Sequence, residues 1–390
     1  MATLTLKSAE LKIYIYTSGG KPSSPQYTLS KTKLSSEDTI NFEISELIKD
    51  YINVTFDGSY NDASFNAFVE TELTRTFSDT VSGTEVTESD PSPLTRKFLA
   101  FRGYGELEDK NLYLTAPYYG RNINPTLSKD ILISNRKIYH KKDEPLYVPF
   151  YTTTDGVNQV KFFDGTTELT SKIYGGSVSN IRADRDDIKA DNFTGALDLY
   201  TADMTFRRND NADDTIKIAA GSGTTTKVVY TTPTGVDVSI PVEEIEECKH
   251  TPYKVTFLNK FGALQDLWFF KKRVDSFSTN RESYNKNILT TNSTGVDFSR
   301  FSHSNSLLDV SSEETFIMNT GFISEDHNQV IKQLMVTEFA WSHEIIDGTI
   351  EPVPIMPKTS SFTSKTVLND KLINFEIEFE YANSYIQNVR

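Results

Sequence analysis

The hydrophobic pattern along this chain is chiefly one of period two. It is densest at residues 252–273, PYKVTFLNKFGALQDLWFFKKR. Tyr253, Val255 and Phe257 fall on one face of an extended segment, with Lys254 and Thr256 on the other. Asn259-Lys260-Phe261-Gly262 supplies a turn, its Asn and Gly being residues that tolerate positive φ. Residues 264–270 carry apolar side chains on both faces, including Trp268, Phe269 and Phe270. That pattern predicts a strand covered on both sides. The run Lys271-Lys272-Arg273 ends it.

The same reading can be carried from the start of the chain. Residues 11–16 form a strand closed by Gly19-Gly20, and Pro22 and Pro25 extend the loop that follows. Residues 39–44 predict a second strand. Ile44, Leu47, Ile48, Tyr51 and Ile52 then recur at helical spacing, with Ser45 as a candidate cap. Residues 53–56 return to strand and stop at Asp57-Gly58. Residues 68–77 alternate. The polar, proline-containing stretch 78–93 predicts a mobile hairpin loop. A strand at 98–101 leads into Arg102-Gly103-Tyr104-Gly105, whose glycines suit a bulge or tight turn. A long ordered loop at 116–130, a strand at 131–133 and a strand at 146–150 complete the section. Pro149 confines the last of these to an edge or an end.

Residues 151–247 are richer in Thr, Gly and Asp. Strands are expected at 159–163, 215–219, 225–231 and 236–242, and 184–189 is the one place suited to a helix. Short strands with a turn signal about every ten residues predict a small β-sandwich. Beyond the 252–273 hairpin, residues 274–312 are polar and predict a long excursion. A helix is expected over 324–336: Ser324 can cap it, Glu325 and Asp326 suit its positive end, and Val330, Ile331, Leu334 and Met335 share one face. Residues 371–381 alternate cleanly as a strand with one buried face. The expected architecture is all-β with minor α. It comprises an N-terminal β domain over 1–150, a small Thr/Gly-rich β-sandwich over 151–247, and a C-terminal β domain over 248–390 with one packed helix. One pentapeptide, INFEI, occurs at both 40–44 and 373–377. It suggests either related β modules at the two ends or coincidence in a β-favouring vocabulary.

Composition narrows the function classes. The chain has 390 residues, 37% hydrophobic and 24% charged, as a globular protein does. Its net charge of −14 argues against wrapping a phosphate backbone, so no nucleic-acid partner is expected. The single Cys248 excludes an intramolecular disulfide and is expected to be a packed or idle thiol rather than a reactive one. No signal peptide and no apolar stretch approaching a membrane span is apparent, so synthesis and folding in a cytoplasm are expected.

Chemistry is sparse. His140, His250, His303, His327 and His343 do not fall at metal-binding spacing with one another or with Cys248. Nucleophile-elbow, P-loop and dinucleotide motifs do not occur. Asp184, Asp186, Asp187 and Asp191, or Asp210, Asp213 and Asp214, are acidic clusters that either bind calcium or form solvated loops; neither has EF-hand spacing. No catalytic, cofactor-binding or metal residue is assigned, no cofactor is expected, and the chain is read as a non-enzyme.

Three stretches carry a resemblance. VTFLNKFGALQDLWFFKK at 255–272 is similar to a motif in virion proteins of tailed phages that infect Bacteroidetes. So is the end of the chain, from Asn319-Thr320-Gly321-Phe322 to LNDKLINFEIEFEYAN at 368–383, and, more weakly, GYGELED at 103–109. The resemblance implies a β-rich component of the tail, its tip or baseplate, or the neck, located in the virion. Other virion proteins and a threefold or sixfold homo-oligomeric ring are the implied partners. Residues 274–312 and 78–93 are the expected contact surfaces. The alternative is a glycan-binding adhesion or receptor-binding module, with Tyr118, Tyr119 and Tyr174 stacking on sugars. A glycan-degrading enzyme is a third reading.

Overall fold

The structure is a computed structural model. It describes residues 4–16, 21–36, 39–52, 54–58, 66–79, 82–89, 96–104, 133–134, 137–142, 144, 146–150, 158–174, 204–207, 226–231, 237–361 and 372–383. Strands dominate, so the fold class is all-β with minor α, as the sequence pattern predicts.

The first sheet is built on β1 (Leu4–Tyr16), which pairs antiparallel with β2 (Tyr27–Thr32) on one side and β3 (Asn66–Asp79) on the other. The far edge of β3 is shared by β4 (Glu85–Ser89) and β5 (Arg96–Phe101). Helix α1 (Ser45–Tyr51) lays Ile48 and, just past its end, Ile52 onto Ile13, Ile15 and Val69. Three local expectations need correction. Residues 39–44 are not a strand; Phe42 and Ile44 instead pack beside the helix. Ser45 is the first helical residue rather than the cap, with its N–H donating 2.9 Å to the Glu43 carboxylate. Residues 54–56 are irregular, since Phe56 is used to pack against Trp341 and not to pair with a strand. The described part of the expected loop at 78–93 is likewise mostly strand, at 78–79 and 85–89. It turns at once, with Gly83 N–H donating 2.9 Å to Asp79 O, and β4 runs back along β3. Thr and Val in β4 favour extended backbone despite the polar composition.

A second sheet has the order β6 (Ile138–Lys141), β12 (Asp237–Ile245), β11 (Lys227–Thr231), β8 (Asn158–Asp164) and β9 (Thr167–Tyr174). Its β6 lies before residue 150 yet pairs in parallel with β12, so strand pairing crosses that boundary. Strand β7 (Tyr147–Phe150) pairs only with β10 (Met204–Arg207) among the described strands, consistent with the limit Pro149 imposes. The expected loop at 116–130, the strand at 215–219 and the helix at 184–189 fall outside the described residues. Of the expected strand at 131–133 only residue 133 is described, and it is not extended into a ladder.

The C-terminal sheet holds the main core. Its order is β14 (Leu264–Phe269), β13 (Tyr253–Leu258), β19 (Ala340–Ile346), β20 (Thr349–Pro357), β21 (Leu372–Tyr381), β18 (Asn305–Ser324) and β15 (Val274–Asn285). It curls strongly. Just past β14, Lys271 N–H reaches Asn319 O of β18 at 3.1 Å. The enclosed face carries Val255, Phe257, Phe269, Phe316, Met318, Phe375 and Phe379, onto which α2 (Asn328–Val336) packs Val330, Ile331 and Leu334. The predicted helix at 324–336 is therefore present, but it opens as a 3-10 turn over Glu325–His327, and the Ser324 side chain does not cap it.

The stretches singled out for resemblance are structural devices. In the turn between β13 and β14, Gly262 has φ +72°. Asn259 is not at positive φ; its carboxamide oxygen instead accepts N–H bonds from Phe261 at 3.0 Å and Ala263 at 3.2 Å. Asn319-Thr320-Gly321-Phe322 is a bulge in β18 opposite β21, with Gly321 at φ +75°. There the Thr320 hydroxyl accepts the Phe375 N–H at 3.1 Å. A bulge bends its strand, which suits the curl of this sheet. INFEI is irregular at 40–44 and lies within β21 at 373–377, so the identical words adopt different structures.

Candidate assembly surface

Chemically capable side chains meet at one polar cluster on the outer face of β13, β14 and β19. The Thr256 hydroxyl donates to Asp266 Oδ1 at 2.6 Å and lies 2.8 Å from His343 Nε2. Because the hydroxyl hydrogen goes to the carboxylate, His343 must carry its proton on Nε2 and donate to Thr256. Thr256 is fully buried, and Phe56 packs edge-on against the His343 ring. These bonds tie β13, β14 and β19 together across the sheet.

Burial, and then the charge of Lys254, pushes the His343 pKa down to about 2. The unfolded chain binds a proton at His343 near pH 6.5, whereas the folded chain does not until pH is far lower. Below the unfolded value the unfolded state therefore holds more protons, and stability falls as pH falls. We expect a loss of roughly 1 kcal/mol per pH unit between about pH 6 and pH 4 from this group. Urea unfolding of the parent and His343→Gln across that range checks this: the parent curve should be the steeper. Parallel curves would show that His343 protonates freely in the fold.

The other histidines are dispersed. His140 and His327 are buried, with His140 Nε2 2.8 Å from Glu144 O, while His303 is exposed on the arm described next. Among the described residues no group of three or more His, Cys, Asp or Glu side chains is placed to hold a metal ion. The acidic clusters at 184–191 and 210–214, together with Tyr118 and Tyr119, lie outside the described residues. Tyr174 ends β9, opposite Asn158. Cys248 is exposed and free.

The stretch 274–312, expected as a long polar excursion, is the largest unburied feature among the described residues. It is instead a regular hairpin. Twelve residue pairs join β15 to β18, from Val274 with Ile317 to Asn285 with Asn305. At about 3.3 Å per residue this arm extends roughly 40 Å. A second small hairpin, β16 (Leu289–Asn292) with β17 (Gly295–Phe298), lies at its tip. The correction has a local cause: Val274, Phe277, Thr279 and Tyr284 favour extended backbone without requiring a buried face, despite the Ser and Asn between them.

Every residue of β15 is exposed. Large apolar side chains are nevertheless spread along the arm: Phe277 is 54% exposed, Leu308 69% and Phe301 97%. Arg273 anchors the base. Its guanidinium donates to Glu344 at 2.8 Å, to the Tyr381 hydroxyl at 2.7 Å and to Asp275 at 2.6 Å, and lies 3.9 Å above the Phe316 ring. Burial alone would lower the Arg273 pKa; the bonds to Glu344 and Tyr381 more than offset it, so the net shift is upward. Tyr381 is pushed up to about 12, first by burial. The arm thus projects from a rigid socket. Hydrophobic alternation does not mark it, since Val274 and Phe277 fall on opposite faces among polar residues; the signal present was the strand-favouring Val, Phe, Thr and Tyr.

No family model matches the chain, and no curated protein or solved structure is significantly similar to it. Among the described residues no helix is long and apolar enough to cross a membrane.

Proposed function

We propose that this chain is a structural protein of a tailed-bacteriophage virion, assembled with copies of itself and with other virion proteins in the tail, its tip or baseplate, or the neck. The arm carries the reading. An exposed 12-residue strand at the edge of its sheet among the described strands, bearing unburied aromatic and aliphatic side chains, is a liability for a protein working alone. It suits a protein whose working state is packed among neighbours. The resemblance of 255–272 and 319–383 to virion proteins supports the same reading, and those stretches build the core and bends of the sheet that holds the arm. On this reading the chain is non-catalytic, requires no metal or cofactor, and forms a ring of threefold or sixfold symmetry. Mass spectrometry of purified particles, with a reconstruction of the tail and neck, tests it. The expected result is the chain in multiples of three around the particle axis. Its absence from particles, or a single copy per particle, would overturn the proposal.

A further inference from the structure

Only the base of the arm is embedded in the sheet. Strand β18 pairs with β21 from Thr315 onward, so its outer part, 305–314, has β15 on one side and no strand on the other among the described residues. Strand β15 likewise has β18 on one side and, among the described strands, none on the other. The arm is therefore a two-stranded ribbon with two unlike free edges at the same level. An isolated two-stranded ribbon is marginally stable in water. Edges are ordinarily protected by proline, lysine, bulges or cover. Here β15 contains neither proline nor lysine and only three charged residues, Asp275, Arg281 and Glu282, and the one register shift of the ribbon bulges β18 at Leu308 rather than β15.

We infer that the β15 edge of one copy pairs with the outer β18 edge of the next, so that the arms close into a continuous antiparallel barrel. The inference rests on the proposed function only in taking the neighbour to be a second copy. Strand direction supports it: β15 and β18 are antiparallel within one ribbon, so identical ribbons around a common axis place every β15 antiparallel to the next β18. Such head-to-tail contacts close a ring and remove every free edge of the arm. Charge selects the pairing as well. Glu313 is neutralised by Lys358 of the same chain, but the outer part of β18 also carries Asp309 and Glu314, so β18 against β18 would still oppose like charges. Strand β15 sets Arg281 among Asp275 and Glu282 and is followed by Lys286, giving the acidic edge a balanced partner.

Mixed-batch cross-linking of the full chain tests this. In a Cys248→Ser background, chains carrying only Asn280→Cys are mixed under mild oxidation with chains carrying only Ser306→Cys, Ser311→Cys or Glu313→Cys. At least one mixture should give an inter-chain disulfide in yield about tenfold above either chain alone, the ratio expected from a specific contact worth about 1.4 kcal/mol. Equal yield from Asn280→Cys alone would show twofold β15 pairing and overturn the proposal; so would the absence of cross-links in every mixture. A second variant guards against misfolding. Because Ser278 and Glu313 are directly paired, residues 279–312 can be replaced by Asn-Gly, a two-residue hairpin loop. That variant should keep the parent melting temperature and lose self-association; retained association would overturn the proposal. If the disulfide forms but the chain is absent from phage particles, the pairing stands and the virion reading falls. If the chain is present in particles but no mixture cross-links, the reverse holds.

Discussion

Trp268→Ala should destabilise this protein by about 3 to 5 kcal/mol, the usual cost of truncating a large aromatic in a packed core. Trp268 is 5% exposed on a strand with both faces covered. Leu267 and Phe269 point to the enclosed core, while Trp268 points outward beneath His140, its ring centroid 5.8 Å from the imidazole, and stacks with Phe270 at 6.4 Å. Removing it would leave a cavity between β14 and the strand β6 that covers it. The indole N–H is buried with no hydrogen-bond partner in the structure, so no hydrogen bond is lost; packing, with the Lys141 ammonium 5.7 Å from the ring centroid, carries the effect. Trp268→Phe, which keeps most of the ring and removes that N–H, should therefore cost less than about 1.5 kcal/mol. Urea unfolding of the two variants separates them. A parent-like midpoint for Trp268→Ala would mean that the outer face of β14 is open to solvent.

Gly103→Ala is the second large effect, at about 3 kcal/mol, the upper part of the range for overpacking. A Cβ at position 103 would sit 2.2 Å from the Lys260 carbonyl oxygen and 3.0 Å from Gly262 N. These are backbone atoms of the buried β13–β14 turn, so neither can swing aside as a side chain would. The same contact is pinned by Tyr104 N–H donating 2.9 Å to Lys260 O. Next to it, Arg102 donates to Lys49 O at 2.6 Å and Ile52 O at 2.8 Å at the end of α1. Gly103 therefore joins the N-terminal sheet and its helix to the C-terminal turn by direct backbone approach. The variant should show a lower unfolding midpoint. If the junction were dispensable, only loosened protection of residues 96–104 in hydrogen exchange would appear, with the midpoint unchanged, and the argument would fail.

Both effects bear on what could be read without coordinates. The two-sided burial of 264–270 was legible because apolar residues on consecutive positions leave no solvent face. Gly103 was legible only as a place wanting a small residue. Bulge, turn and close approach all favour glycine, and the partner lies more than 150 positions away in the chain. The helix at 324–336 was visible from Val330, Ile331 and Leu334, whereas its 3-10 opening was not, because Ser324, Glu325 and Asp326 suit either form. The polar cluster of Thr256, Asp266 and His343 escaped notice. Its members come from three strands, and their spacing follows the sheet order rather than any local motif.

By itself, then, the sequence determined the class of the fold, the β13–β14 hairpin, the alternating β21 strand and the helical face of α2. These depend on periodicities of two and 3.6 residues, which are local properties of backbone geometry. That INFEI is irregular at 40–44 and strand at 373–377 follows from packing alone, since a pentapeptide takes its conformation from what it packs against. Tertiary structure also decided that 274–312 is a hairpin arm and that 138–141 joins a sheet whose other strands lie beyond residue 150. A strand becomes a strand when another backbone satisfies its N–H and C=O groups, and which backbone does so is settled by the whole chain.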